Sequence, residues 1–84
     1  MDPQTFEHKL RQAQTLQRLS DTHGQHFWLG YQRGLRRHYY GEKFGTQEEH
    51  LKWMDLADSA LPELCEAGRG YRAGFMGLDP DVRE

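Results

Sequence analysis

The chain has 84 residues, 36% of them hydrophobic and 29% charged, with a net charge of -2 and a mean hydropathy of -0.99. One small domain follows, too short to bury much surface, with no apolar run near the roughly 20 residues that span a bilayer. The single Cys65 excludes an internal disulfide, and Met1-Asp2-Pro3-Gln4 lacks the basic and apolar regions of a signal peptide, so a cytoplasmic location is expected.

The aromatic content of 12% argues against disorder. Charge is unevenly spread. Residues 1–40 hold six bases and three acids (+3), residues 41–66 two bases and seven acids (-5), and residues 67–84 three of each. The chain is therefore bipolar. Its two poles either complement each other, within the fold or across a homodimer, or meet a charged partner.

Asp2-Pro3 can cap and start a first helix, expected over about 3–20, with Phe6, Leu10, Ala13 and Leu16 as its apolar stripe. Asp21-Thr22-His23-Gly24 reads as a break. A second helix is expected over about 25–40. Phe27, Trp28, Tyr31, Gly34, Leu35 and His38 share one face, and Leu29, Arg33, Arg36, Arg37 and Tyr40 the other. Gly30 and Gly34 stand four apart on an edge that suits close approach of another backbone. Each costs the helix up to about 1 kcal/mol relative to alanine, so packing must compensate. Gly41 is the natural C-cap.

Phe44 is expected to fold onto the core from the turn at 42–45. Thr46-Gln47-Glu48-Glu49 is a capping box that opens a third helix, expected over about 47–60. His50, Trp53, Met54, Ala57, Ala60, Leu61 and Leu64 share its inner face, with Glu48, Lys52, Asp55, Asp58 and Ser59 toward solvent. Pro62 starts a fourth helix, expected over about 62–76. Leu64, Gly68, Tyr71 and Phe75 form its stripe, and residues 79–84 are expected to fray. Gly30-Tyr31-x-x-Gly34 returns 40 residues later as Gly70-Tyr71-x-x-Gly74. This repeat predicts two equivalent helices packed at their glycine edges. The expected fold is all-α, a small bundle of three to four helices forming a single domain over 1–84, cored by Phe27, Tyr31, Leu35, Trp53, Met54, Leu61, Tyr71 and Phe75.

Signals for chemistry are weak. The five histidines form no zinc-binding frame, His23-x-x-His26 lacks further ligands, and His38 and His50 lie on apolar faces as core histidines. Cys65 has no base placed for it. No metal, cofactor or catalytic residue is expected, and the chain reads as a non-enzyme. The candidate binding surface is basic and aromatic, built from Arg33, Arg36, Arg37, Tyr39 and Tyr40, with Glu48 and Asp55 as the acidic counterpart. Arginine beside tyrosine is a hot-spot composition for protein partners, and equally one for phosphate contact and base stacking. The competing structural reading pairs these arginines with Glu48, Asp55 or Asp58.

Gly68-Arg69-Gly70-Tyr71-Arg72-Ala73-Gly74-Phe75-Met76-Gly77 resembles the Gly-Tyr-x-Ala-Gly-x-x-Gly stretch of the ribosome modulation factor family, and Trp28–Arg33 resembles its aromatic-glycine helix. The motif order is reversed, and this chain is acidic where that family is basic. The resemblance implies ribosomal RNA binding. The leading expectation is a protein-interaction module. The alternatives are an RNA- or DNA-associated regulator, and a phage or mobile-element inhibitor such as one directed at a CRISPR nuclease.

Overall fold

The computed structural model describes residues 1–80; the part of the expected frayed tail at 81–84 lies outside them. Among the described residues there are four α-helices and no strand: α1 Pro3–Leu19, α2 Thr22–Tyr40, α3 Gln47–Asp55 and α4 Pro62–Phe75. Short 3-10 turns at Gly41–Lys43 and Leu56–Asp58 follow α2 and α3.

Each boundary has a local cause. The Asp2 carboxylate accepts from Thr5 N–H at 2.7 Å, a bond that holds its carboxyl below the usual carboxylate range. Asp21 accepts from Gly24 N–H at 2.8 Å, so α2 starts at Thr22, three residues before the apolar pattern resumes. Both bonds of the capping box form: Glu49 N–H donates to Thr46 Oγ1 at 3.1 Å, and Thr46 N–H to Glu49 Oε1 at 3.3 Å. Gly41 ends α2 at φ +64°, a conformation that favours glycine. The third helix is shorter than expected. It tightens into the 3-10 turn from Leu56, and the chain extends at Ser59 before Pro62 starts α4.

Two antiparallel hairpins result, α1–α2 and α3–α4. They join through α2 and α4, which run parallel in a register set by four glycines. A β-carbon on Gly30 would strike the Ala67 carbonyl, and one on Gly34 the Tyr71 carbonyl. Reciprocally, Gly70 abuts the Phe27 carbonyl and Gly74 that of Tyr31. The contacts repeat with an offset of 40 residues, so the Gly-Tyr-x-x-Gly repeat marks an approximate two-fold relation between the helices. Such backbone approach suits Cα–H···O=C contacts.

The helices lie in the order α1–α2–α4–α3, and the Cα envelope measures 35 × 31 × 17 Å. The molecule is a slab with α1 and α3 at opposite edges. Phe6, Ala13, Phe27, Trp28, Tyr31 and Leu35 form the buried cluster, joined by Leu10, Leu16, Tyr39 and Ala73. Trp53, Met54 and Phe75 are half-buried. Leu61 is not a core residue: it is 61% exposed, because it precedes Pro62 as the α4 N-cap rather than continuing α3. The chain after α4 is docked as far as Pro80, which is fully buried. Lys9 donates to Gly77 O at 2.7 Å, and Tyr31 Oη donates to Leu78 O. Of the tail expected to fray, Asp79 pairs with Lys9 at 3.2 Å and Pro80 packs against the body of the domain.

Candidate functional site

The basic-aromatic segment of α2 is divided among three environments. Arg37 points inward. It is only 6% exposed, and it donates to the carbonyls of Phe44 at 3.1 Å and Gly45 at 3.5 Å and to Gln47 Oε1 at 3.0 Å. Its planar fork ties the turn after α2 to the start of α3. It is thus a structural clamp, not a surface cation. Tyr39 also turns inward and stacks on Phe6, with ring centroids 4.2 Å apart.

Arg33 is held between rings. Its guanidinium lies 4.9 Å from the Trp53 centroid and 5.7 Å from that of Phe44, with Glu49 at 3.9 Å. Its Nε is buried without a hydrogen-bond partner among the described residues. The ion pairs expected with Glu48, Asp55 or Asp58 do not form; Arg33 meets Glu49, and Asp58 pairs instead with Arg72 at 3.4 Å. Behind Arg33, Trp53 stacks on Tyr71 at 5.5 Å, and His50 Nδ1 sits 2.8 Å from Tyr71 Oη. Burial lowers the His50 pKa, reinforced by the charge of Arg37, and burial raises that of Tyr71. His50 is therefore the half-buried aromatic neighbour expected. His38 is not: it is exposed, with Nδ1 2.7 Å from Phe75 O.

What α2 leaves open is one stripe. Leu29, Arg33, Arg36 and Tyr40 stand at i, i+4, i+7 and i+11, which on a helix is one seam about 16 Å long. Leu29 is 47% and Tyr40 48% exposed. The Arg36 side chain makes no ion pair or hydrogen bond among the described residues. On one side the stripe is bounded by α1, through Gln32 and Gln17 at 2.6 Å, and on the other by α3, through Glu49 and Gln47. Glu48 and Asp55 lie apart from it, exposed on α3.

Among the described residues, no three His, Cys, Asp or Glu side chains are grouped to hold a metal ion, and no helix is long and apolar enough to cross a membrane. Cys65 donates its thiol to Ala57 O at 3.3 Å. Of the glycines behind the likeness to ribosome modulation factor, Gly30, Gly70 and Gly74 belong to the α2–α4 contact, whereas Gly68 abuts the backbone of Leu56 and Ala57 and Gly77 follows α4 at φ +72°. No protein-family model, curated protein or solved structure matches the chain.

Proposed function

We propose that the chain is a non-enzymatic interaction module that docks another protein on the outer stripe of α2. The observation that carries this reading is the stripe's composition. Leu29 and Tyr40 are half exposed at its ends, Arg36 makes no ion pair or hydrogen bond among the described residues, and Arg33 lies over the rings of Trp53 and Phe44. Aromatic and arginine anchors presented on a helix face are what protein interfaces use at their hot spots. Because both flanks are fixed helices, little ordering cost attends docking.

A nucleic-acid role for the same face has less support. Phosphate binding needs several unneutralised cations. Of the three arginines, Arg37 is buried and Arg33 faces Glu49, which leaves Arg36.

The test is retention of a stoichiometric protein partner on the immobilised chain, with nuclease present. The double variant Arg36→Ala/Tyr40→Ala loses the partner while its far-UV circular dichroism stays unchanged. Equal retention by that variant removes the stripe from consideration. Retention that vanishes with nuclease transfers the argument to the nucleic-acid reading.

A further inference from the structure

The outer face of α1 is unlike the rest of the surface. His8, Arg11, Thr15 and Arg18 stand at i, i+3, i+7 and i+10, one seam on a helix. Two adjoining hollows run along it. One, of about 390 Å³, is lined by His8, Arg11, Gln12, Thr15, Leu16 and Pro80. The other, of about 520 Å³, shares Arg11 and Thr15 and ends at Arg18. Among the described residues the cations here are poorly neutralised. Arg11 meets only Glu7, at 3.6 Å with both side chains in solvent, and the Arg18 side chain meets no partner among the described residues.

The opposite edge of the slab carries the complement. No residue of α3 is buried. Its outer face presents Glu48, Leu51 and Asp55, with Leu51 53% exposed, and none of the three side chains has an ion pair among the described residues. The spacings match. Arg11 to Arg18 and Glu48 to Asp55 are both seven residues, or about 10.5 Å along a helix. Laid antiparallel, Asp55 meets Arg11, Glu48 meets Arg18, and Leu51 falls opposite Thr15, beside the hollow floored by Leu16 and Pro80.

We infer that this groove on α1 receives α3 of a second copy of the chain, in a head-to-tail contact. The two surfaces differ and lie on opposite edges, so the contact is heterologous and propagates instead of closing as a symmetric pair. A two-turn helix contact with two ion pairs is small, so the association is weak, concentration-dependent and sensitive to salt.

Sedimentation velocity tests this from micromolar concentrations to about 1 mM, in about 10 mM and about 500 mM salt. The expected result is growth in mean mass with concentration at low salt, lost at high salt. Arg11→Gln/Arg18→Gln and Glu48→Gln/Asp55→Asn each remain monomeric, with native circular dichroism. Mixed together they form a complex that stops at two chains, because each supplies the one intact face the other lacks. A wild-type chain monomeric throughout overturns the inference. So does self-association that survives either double variant, or a mixture that stays monomeric. Arg36→Ala/Tyr40→Ala, which probes the α2 stripe, leaves the assembly unchanged. Binding of an acidic peptide or of DNA to α1 without self-association assigns the groove to a different occupant and overturns it too.

Discussion

Gly34→Ala separates two opposed physical expectations by sign. In a solvated helix the change is favourable by up to about 1 kcal/mol, because alanine loses less backbone freedom on folding. In this fold the new methyl lands on the Tyr71 carbonyl oxygen, 2.8 Å from Phe75 N and from Tyr71 C. Those atoms are helix backbone and cannot rotate away. The axes of α2 and α4 must therefore part by about an ångström, and gaps of that size forfeit a quarter to a half of each contact's dispersion energy along the seam. Overpacking of this kind costs about 1–3 kcal/mol, occasionally more. With the seam loosened at Gly30, Gly70 and Gly74 as well, a net loss of about 2–4 kcal/mol is expected after the propensity gain. A domain of this size has about 4–13 kcal/mol in total. At about 4–8 °C per kcal/mol, the midpoint falls by about 8–32 °C. Thermal and urea melts followed by far-UV circular dichroism measure it. A Gly34→Ala chain that melts higher than wild type would falsify the close-packed seam.

Two further perturbations probe the cluster behind Arg33. His50 has its pKa lowered from 6.5, first by burial and then by Arg37. The unfolded chain therefore binds more protons below that value, so the stability due to neutral His50 is present above about pH 6.5 and lost as pH falls through the lower folded value. The urea midpoint should drop between about pH 7 and pH 5, and His50→Gln, which stays neutral beside Tyr71, should flatten that drop; an identical slope in both chains removes His50 as its source. Arg37→Lys keeps the charge but not the fork that binds Phe44 O, Gly45 O and Gln47 Oε1. A loss of about 1–3 kcal/mol in denaturant melts is expected, and an unchanged midpoint would show that the clamp contributes nothing.

The elements legible in the sequence are those whose cause is local or repeated. The capping box at Thr46, Pro62 at the head of α4 and the doubled Gly-Tyr-x-x-Gly each impose geometry through their own backbone chemistry. The arginine face was legible in its helical periodicity and not in its fate. Periodicity places Arg37 opposite the core, but three acceptors at 44–47 fold over it, and that loop path has no sequence signature. Tyr39 is hidden for a similar reason: its stacking partner, Phe6, arrives from α1, more than thirty residues away. Leu61 fits the α3 stripe on paper, and the 3-10 turn at Leu56–Asp58 removes it by changing the helical phase. The open stripe on α2 could be drawn from i, i+4, i+7 spacing, whereas its flanks, α1 and α3, come from tertiary packing.

The parallel pairing of α2 with α4 also sets an order of events in folding. Both hairpins join helices adjacent in the chain and can close outward from their short turns, while the glycine seam joins residues about 40 apart and must close that loop first. The entropy of closure is about 3 kcal/mol for 40 residues, and it is met before any glycine contact returns energy. Each hairpin is therefore expected to form early and the seam late, so destabilising the seam should mainly speed unfolding and leave the folding rate little changed. Trp28 lies in one hairpin and Trp53 in the other, so the chain carries a separate fluorescent reporter for each half of that sequence of events.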